Sequence, residues 1–495
     1  MFSLNSTVDD HQLHVFFFPF LAHGHMIPAI DMAKIFASRG VKVTIVTTPL
    51  NVPFFSKTIS KHSESTGSEI RIQTLKFPTT EFGLPEGCEN AEVITSMNLG
   101  WETFSKFFLA STKLQESLEK LLEEDRPDCL VADMFFPWAT DSSEKFGIPR
   151  LLFHGTSFFS LTVMDVLSRY EPHKDVSSDT EPFEVPGGLP DKIMLTKRQL
   201  PASAVATGQG DTFMWEFFKK VRESNSQGYG TVVNSFYELE PGYVDYYRNV
   251  FQRKAWHIGP VSLCNADVDD KANRGKESSI DWDYCLNWLD SKEPKSVVYI
   301  CFGSVANFSA EQLKEIAIGI EASDQKFIWV VRKNRRNNGD VEDWLPEGFE
   351  ERTKSRGIII RGWAPQVLIL EHVAIGAIVT HCGWNSTLEA ISAGLPMVTW
   401  PVMAEQFYNE KLVTHVVKIG VGVGAAQLPL GTTIEGVKVE RAIKRIMSTD
   451  DEEVAKMRSR AKYLGHMARK AVEEDGSSYC DLDALIEELR SNCRA

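Results

Sequence analysis

The chain has 495 residues, more than a single hydrophobic core usually supports, so two domains are expected. Hydrophobic residues make up 43% and charged residues 24% of the sequence, as is ordinary for a globular protein. The formal net charge of −14 argues against a nucleic-acid or anionic-membrane partner, because either would require a basic face, and it favours small-molecule ligands.

The cysteine pattern and the apolar runs give an expectation about location. Eight cysteines include no C-x-x-C pair and no zinc spacing, so they are predicted to be reduced thiols. No run reaches the roughly 18 apolar residues of a membrane span, and the polar start lacks the features of a signal peptide. We therefore expect a cytoplasmic protein with no membrane span, and a monomer.

The first clear pattern along the chain is a βαβ unit. Residues 14–20 form an apolar, strand-like run, residues 27–38 have helical spacing with Gly40 as their stop, and residues 41–47 are typical of a second strand. His25 follows the first strand, at the carboxyl edge where doubly wound sheets bind ligands. A neutral imidazole there can act as a general base, although a histidine beside a glycine-rich turn is more often a local hydrogen-bonding residue.

A carboxylate and a group of aromatic residues follow in the same half. Asp133 comes directly after the strand-like run 129–132, where it could orient a histidine, although such an aspartate more often caps a turn. Aromatic residues are frequent here, and most of them are expected to lie in the core. Four form a candidate pocket for a flat, apolar molecule: Phe135, Phe136, Trp138 and Phe158.

The βαβ pattern recurs in the second half. Residues 296–302 and 326–331 are typical of strands, and a helix is predicted after Ser309, which forms a capping box with Gln312. Two such units, far apart, predict an α/β protein with two Rossmann-like domains that face each other across a cleft.

The domain boundary is predicted near residue 255. The first domain would span residues 1–255 and the second residues 256–495. Residues 262–280 are polar, charged and weakly patterned, as is typical of a surface linker.

Two D-x-D pairs raise the alternative of a metal site. Asp281 and Asp283 open an amphipathic segment, and Asp481 and Asp483 lie near the end of the chain, but neither pair follows a convincing strand. Carboxylates at a helix start are the better interpretation of the first pair. We expect no metal ion and no bound cofactor.

The most informative stretch runs from residue 363 to residue 406. Residues 376–380 are typical of a buried strand, and Gly383 lets the chain turn into a helix that begins near Asn385. The unpaired N–H groups at such a helix start form an anion site that suits a diphosphate. A simpler interpretation is that Ser386 and Glu389 form a capping box, worth about 1 kcal/mol to the helix.

This stretch resembles the signature box of plant family 1 UDP-dependent glycosyltransferases. The matching positions are Trp363, Pro365, Gln366, His381, Gly383, Trp384, Asn385, Ser386, Glu389, Pro396, Glu405 and Gln406. The resemblance implies that His381, Asn385 and Ser386 contact the phosphates, that Trp363 stacks on uracil, and that Glu389 binds the ribose hydroxyls. It also implies that Trp384, Glu405 and Gln406 face the sugar. Ser304, Ala364, Gln366 and Gly383 complete the set of candidate donor-binding residues.

The resemblance spans nearly the whole chain and implies a GT-B fold whose last helix, about 478–491, packs back on the first domain. It also implies that His25 is the catalytic base and Asp133 its partner. The expected reaction is the inverting, metal-independent transfer of glucose from UDP-glucose to a hydroxyl of a lipophilic small molecule, giving a β-glucoside. Flavonoids or other phenolics are the first expectation for the acceptor, and triterpenoid sapogenins the second.

Two alternatives remain open from the sequence. One is a phosphorylase of similar fold, which would carry pyridoxal phosphate. The other is a carrier that binds phenolics without turnover, and a His25–Asp133 pair would argue against it.

Overall fold

A computed structural model describes residues 11–493, except for 98, 202–203, 205–211, 305, 333–343 and 428–432. Among the helices of these residues, none is both long and apolar enough to cross a membrane.

The first half is built on a seven-stranded parallel sheet. Its strands, with a small antiparallel pair, are β1 (His14–Phe18), β2 (Lys42–Thr47), β3 (Ile70–Thr74), β4 (Cys129–Asp133), β5 (Arg150–Phe153), β6 (Phe183–Glu184), β7 (Met194–Leu195), β8 (Gly230–Val233) and β9 (Ala255–His257). The order across the sheet is β3-β2-β1-β4-β5-β8-β9, whereas β6 and β7 pair with each other. All residues of β1 are buried, because helices cover both faces of a parallel sheet.

The second half has a six-stranded parallel sheet of the same kind. Its strands are β10 (Val297–Cys301), β11 (Lys326–Val331), β12 (Gly357–Arg361), β13 (Ile375–Thr380), β14 (Met397–Thr399) and β15 (Gly420–Gly422). The order is β12-β11-β10-β13-β14-β15, so β10 takes the same central place as β1 in the first sheet. The prediction of an α/β protein with two Rossmann-like domains is confirmed.

Helices flank both sheets. Those of the first half are α1 (His23–Ala37), α2 (Ser56–Thr66), α3 (Ala91–Ser96), α4 (Gly100–Thr112), α5 (Leu114–Asp125), α6 (Ala139–Phe146), α7 (Phe158–Tyr170), α8 (Thr212–Ser224) and α9 (Pro241–Asn249). Those that follow are α10 (Val268–Ala272), α11 (Trp282–Asp290), α12 (Ala310–Ser323), α13 (Phe349–Thr353), α14 (Gln366–Leu370), α15 (Trp384–Ser392), α16 (Gln406–Lys411), α17 (Gly436–Met447), α18 (Glu452–Val472) and α19 (Ser477–Cys493).

Strand order places the candidate residues. In the first sheet the order reverses between β1 and β4, and in the second sheet between β10 and β13. Ligands of doubly wound sheets bind at these reversal points, outside the carboxyl ends of the strands. His25 and Asp133 lie at the first point, and Ser304 and His381 lie at the second.

The last helix, α19, belongs to the core of the first half. Its buried apolar residues Leu482, Leu485, Ile486 and Leu489 join the cluster that includes β1 and β2. Asp481 and Asp483 form ion pairs of 2.6 Å with Arg248 and Arg39, so the second D-x-D pair is used in docking this helix.

Three local predictions can be compared with the structure. Asp281 accepts a hydrogen bond from the backbone N–H of Asp283 and caps α11, as expected of a helix-start carboxylate. Ser309 caps α12, but the capping box is incomplete because the side chain of Gln312 bonds to the backbone of Ile434 instead. Helix α1 begins at His23, four residues before the predicted start. The prediction missed this first turn because its residues do not have the apolar spacing from which the helix was predicted.

Candidate active site

The centre of the site in the first half is a histidine–aspartate pair. His25 Nδ1 lies 2.7 Å from Asp133 Oδ2, and the Asp133 side chain is fully buried. The other carboxylate oxygen, Oδ1, accepts the backbone N–H of Phe135 at 3.0 Å. A carboxylate can only accept, so Nδ1 of His25 carries the proton and Nε2 holds the lone pair. The pair therefore presents a basic nitrogen, as a general base requires.

The charges around His25 favour its protonated form. Burial lowers its pKa, but the charge and hydrogen bond of Asp133 and the charge of Glu405 outweigh burial, so the pKa lies above the ordinary 6.5. Glu405 belongs to the second half, where burial raises its own pKa. The pKa of His25 is thus raised in part by the carboxylate of Glu405 on the other side of the cleft.

Across the cleft, His381 follows β13 and is enclosed by glycines. A Cβ on Gly303 would lie 2.5 Å from His381 Cε1, and one on Gly383 would lie 2.4 Å from Nε2. Burial lowers the pKa of His381 to about 4, so the ring is neutral near pH 7. Its Nδ1 is buried and has no partner among the described residues. A neutral imidazole with an unused polar atom suits an anionic ligand that it can hydrogen-bond.

Three residues of the box form one hydrogen-bonded group. Gln366 Nε2 donates to Ser386 Oγ at 2.9 Å and to Glu389 Oε2 at 2.7 Å. The interpretation of Ser386 and Glu389 as a capping box is wrong, because Gly383 is the N-cap of α15 and no side chain caps it. The first N–H groups of this helix remain without a capping side chain, as an anion site requires.

Trp363, the residue expected to stack on uracil, lies beside the segment 262–280 that connects the two halves. Trp363 donates its backbone N–H to Ser279 Oγ at 2.9 Å, and Ser279 donates its own N–H to the Trp363 carbonyl at 2.8 Å. Its indole Nε1 is buried without a partner among the described residues. Ala364, the next residue, is buried. Ser304 lies three residues beyond the last residue of β10, directly after Gly303.

The three residues expected at the sugar differ in what they leave available. The indole N–H of Trp384 donates across the cleft to the carbonyl of Asn234 at 2.7 Å, so this group is already used. Gln406 Oε1 accepts the N–H groups of Val402 and Met403 at 2.8 and 2.9 Å. Of the polar groups on the Gln406 side chain, the amide N–H groups therefore remain to bind a ligand.

Glu405 is held by a residue that the sequence did not single out. Asn409 donates to Glu405 Oε1 at 3.3 Å and to the Cys382 carbonyl at 2.8 Å. It also accepts from Ser160 on α7 at 2.8 Å. An asparagine just beyond the box carried no signal of this role, because its three partners come from separate elements.

The four candidate pocket aromatics separate into one that adjoins the base and three that do not. Phe135 lies 5.4 Å from the His25 ring, measured between centroids. Phe136 stacks on Phe18 at 4.1 Å, and Trp138 packs beside it at 5.4 Å. Phe158 packs against Tyr247 and is fully buried. Phe136, Trp138 and Phe158 are therefore core residues, because their rings face other side chains of the first half.

Other aromatic residues surround Phe135 instead. Its ring lies 4.8 Å from Phe20, 5.4 Å from Phe108 and 6.5 Å from Phe217, and Phe218 lies at 6.4 Å. Phe217 and Phe218 come from α8, far along the chain from β1. The F-x-x-x-F-F spacing within α8 indicates an apolar helix face, but no local signal says that this face meets β1.

Among the described residues, no group of three or more histidine, cysteine, aspartate or glutamate side chains is arranged to hold a metal ion.

Comparison with known proteins gives consistent matches. A family model described as "UDP-glucoronosyl and UDP-glucosyl transferase" matches residues 252–459. The scopoletin glucosyltransferase of Nicotiana tabacum is 59% identical over 97% of this chain and 98% of its own length. The anthocyanin 3'-O-beta-glucosyltransferase of Gentiana triflora is 54% identical over 97% of this chain and 99% of its own. The solved structure of Glycyrrhiza uralensis UGT73P12, complexed with glycyrrhetinic acid 3-O-monoglucuronide, has a TM-score of 0.88 and 40% identity, covering 97% of this chain and 96% of that one.

The protein has two parallel sheets whose reversal points face each other. One reversal point has a buried His–Asp pair, and the other has an uncapped helix start. This arrangement is that of a glycosyltransferase of the GT-B fold. Together with these relatives, it shows that the chain belongs to the plant family 1 UDP-dependent glycosyltransferases.

Proposed function

We propose that the protein transfers glucose from UDP-glucose to a hydroxyl group of a small phenolic compound, with inversion and without a metal ion. The observation that carries this proposal is the 2.7 Å contact between His25 and Asp133 opposite Glu405. In this assignment, the half around the first sheet, predicted as residues 1–255, binds the acceptor, and the half around the second sheet, predicted as residues 256–495, binds the donor. The predicted boundary falls within β9, which completes the first sheet, so the first half extends past residue 255. The named relatives that act on scopoletin and on anthocyanin support glucose as the sugar and a phenolic as the acceptor.

The chemical step follows from the available nitrogen of His25. The acceptor hydroxyl gives its proton to Nε2 while its oxygen forms a bond to the anomeric carbon of the sugar. The bond from that carbon to the diphosphate oxygen breaks, and UDP leaves with the electron pair. Attack from the side opposite UDP inverts the anomeric centre, so an α-linked donor gives a β-glucoside. Asp133 stabilises the imidazolium that forms on His25.

The charge that develops on UDP requires stabilisation as the bond breaks. The uncapped N–H groups at the start of α15 would donate hydrogen bonds to the diphosphate, and the helix dipole would add positive potential. His381, Asn385 and Ser386 would add hydrogen bonds, and Trp363 would stack on uracil. These groups perform the role that a divalent cation has in metal-dependent transferases.

The surroundings of His25 favour a flat, apolar acceptor. Phe135 is partly exposed and adjoins the base, while the buried rings of Phe20, Phe108 and Phe217 pack behind it, so a planar ring system would meet the Phe135 edge of an aromatic cluster. The glycyrrhetinic acid glucuronide in the Glycyrrhiza structure makes a triterpenoid the second acceptor class to test.

The test is incubation with UDP-glucose and a panel of coumarins, flavonoids, simple phenols and sapogenins, read by mass spectrometry, with and without EDTA. We expect phenolic acceptors to gain one hexose unit, with the same yield in EDTA. NMR of the product should show a β-linkage. Binding of phenolics without any product would support a carrier. Activity that required phosphate and a pyridoxal absorbance band would support a phosphorylase.

A further inference from the structure

The segment between the two sheets places a buried arginine in the cleft. Residues 262–280 are predicted to form a surface linker, yet the Arg274 side chain is only 10% exposed. Its Nε donates to Asp31 Oδ2 at 2.8 Å, and its Nη1 donates to Glu389 Oε1 at 2.6 Å. The two carboxylate side chains are 2% and 6% exposed. One guanidinium therefore joins the two halves of the molecule.

The two carboxylates belong to the helices that carry the site. Asp31 is on α1, whose first turn holds His25, and Glu389 is on α15, whose start forms the anion site. The starts of these helices also meet, because Asn385 Nδ2 donates to the Gly24 carbonyl at 2.7 Å. The helices are thus connected twice, once at their first turns and once further along through Arg274.

We propose that Arg274 is a positioning residue that fixes the base-bearing helix α1 against the donor-binding helix α15 and orients the Glu389 carboxylate for the ribose. The second part rests on the proposed function, in which Glu389 binds the ribose hydroxyls.

The planar guanidinium suits this role. Its N–H groups form a rigid fork, so contact with one carboxylate fixes the direction of the contact with the other. A lysine at this position is a single point charge on a flexible stem and cannot fix both directions. Buried ion pairs contribute little net stability, since desolvation offsets their attraction, so the main consequence is geometric.

Glu389 is held from two sides. Arg274 Nη1 contacts Oε1, and Gln366 Nε2 contacts Oε2 at 2.7 Å. Each carboxylate oxygen has a second lone pair, so the group can still accept hydrogen bonds from a vicinal diol. Removal of Arg274 would leave Oε1 without this partner, so that the carboxylate would be oriented by Gln366 alone.

The residue after Arg274 contacts the candidate uracil platform. Gly275 has φ +92°, and a Cβ there would lie 2.6 Å from Cζ2 of Trp363. The Asp31–Arg274–Glu389 group, called the bracket below, is therefore connected through Gly275 to Trp363 in the candidate nucleotide site. A shift of Arg274 would be transmitted to both the ribose and the base positions.

The test compares Arg274→Gln, Arg274→Lys and Asp31→Asn with the unchanged protein. Lys271→Gln is the matched control, because Lys271 lies in the same segment and pairs with Glu371 at 2.7 Å without contacting the bracket. Steady-state kinetics give kcat, calorimetry gives Kd for UDP and 2′-deoxy-UDP, and thermal melts check folding.

We expect Arg274→Gln to lower kcat by about tenfold or more, because small misplacements of reacting groups are costly. It should also weaken UDP by roughly tenfold while weakening 2′-deoxy-UDP less, since only UDP offers both ribose hydroxyls. Arg274→Lys should not restore either value. Asp31→Asn should lower kcat and weaken UDP in the same direction but less than Arg274→Gln, because Glu389 keeps its arginine partner, and Lys271→Gln should change neither.

Unchanged kcat and nucleotide affinities in a folded Arg274→Gln variant would overturn the proposal, as would equal losses for UDP and 2′-deoxy-UDP. Failure of the proposed function has a separate signature. The unchanged protein would then show no turnover, or no preference for UDP over 2′-deoxy-UDP, whatever the effect of Arg274.

Discussion

Asn385, at the start of α15, donates its Nδ2 hydrogen to the carbonyl oxygen of Gly24 at 2.7 Å, and Gly24 is the residue immediately before His25. The candidate phosphate-binding helix is therefore in direct contact, across the cleft, with the residue next to the candidate base. Such a contact places the leaving group and the attacking hydroxyl within one small volume, which is what an in-line displacement requires.

Replacement of His25 by alanine should remove the base. We expect kcat to fall by about 10²-fold or more with UDP affinity nearly unchanged, because a general base acts in the transition state. His11→Ala is the control, since His11 also pairs with an aspartate at 2.8 Å but is exposed on the surface. Full kcat in the His25 variant would remove this residue from the mechanism.

The pH dependence should report the raised pKa of His25. A base must be unprotonated, so kcat/KM should fall as the pH drops through this pKa, and the acid limb should lie above the ordinary imidazole value of 6.5. In Asp133→Asn the largest stabilising charge is lost and burial dominates, so the limb should move to lower pH. Its plateau should also fall, because the imidazolium loses its partner. Coincident limbs in the two pH–rate profiles would contradict this assignment.

Loss of the indole of Trp363 should weaken nucleotide binding. Stacking of a base on an aromatic ring is worth about 1–3 kcal/mol, so Trp363→Ala should weaken UDP by roughly ten- to a hundredfold. Trp363→Phe should lose less, since a smaller ring face remains. Trp101→Ala, at a tryptophan that is 54% exposed on α4, should leave the calorimetric Kd unchanged. An unchanged Kd in Trp363→Ala would mean that the indole is only a packing residue.

Gly303 should be intolerant of a methyl group because of His381. Gly303→Ala would place a Cβ 2.5 Å from the imidazole Cε1, displacing the ring that is expected to contact phosphate. Gly67→Ala separates this clash from backbone strain, because both glycines have φ +71° and Gly67 has nothing within 4 Å. Both variants should lose about 1–2 kcal/mol of stability from strain, but only Gly303→Ala should also weaken UDP in calorimetry. Equal UDP affinity in the two variants would exclude the clash.

Sugar choice should depend on the amide hydrogens of Gln406. Its carbonyl is occupied by Val402 and Met403, so donation to sugar hydroxyls is the remaining function. UDP-glucose should exceed UDP-galactose by at least about tenfold in kcat/KM, because an epimer leaves buried partners unpaired. Gln406→His should narrow that gap. Gln406→Glu keeps the acceptor for the loop and loses the donors, so it should reduce glucose transfer without unfolding the loop. Equal use of both sugars by the unchanged protein would contradict the assignment.

Sequence patterns located six of the thirteen strands described in the two sheets, including the central strands β1, β4, β10 and β13. The strand β11 has the predicted bounds, and β13 differs from its prediction by one residue. Asp281 was identifiable as a cap because capping is decided by residues two or three positions away. The positions of His25 and Asp133 also followed from the sequence, because the carboxyl ends of successive parallel strands share one edge of a sheet.

What the sequence determined by itself was therefore local: apolar strands, turn glycines, caps and the spacing of the box. Only the tertiary structure decided whether a polar residue caps a helix or belongs to the site, and whether an aromatic residue lies in the core or beside the candidate base. Ser386 and Glu389 have the spacing of a capping box, yet their partners Gln366 and Arg274 lie 20 and 115 residues away along the chain. Phe135 and Phe136 are adjacent in sequence, but one adjoins the base and the other is core, because neighbouring side chains point in different directions. Such choices depend on contacts between distant segments, and those contacts exist only after both sheets have formed and docked.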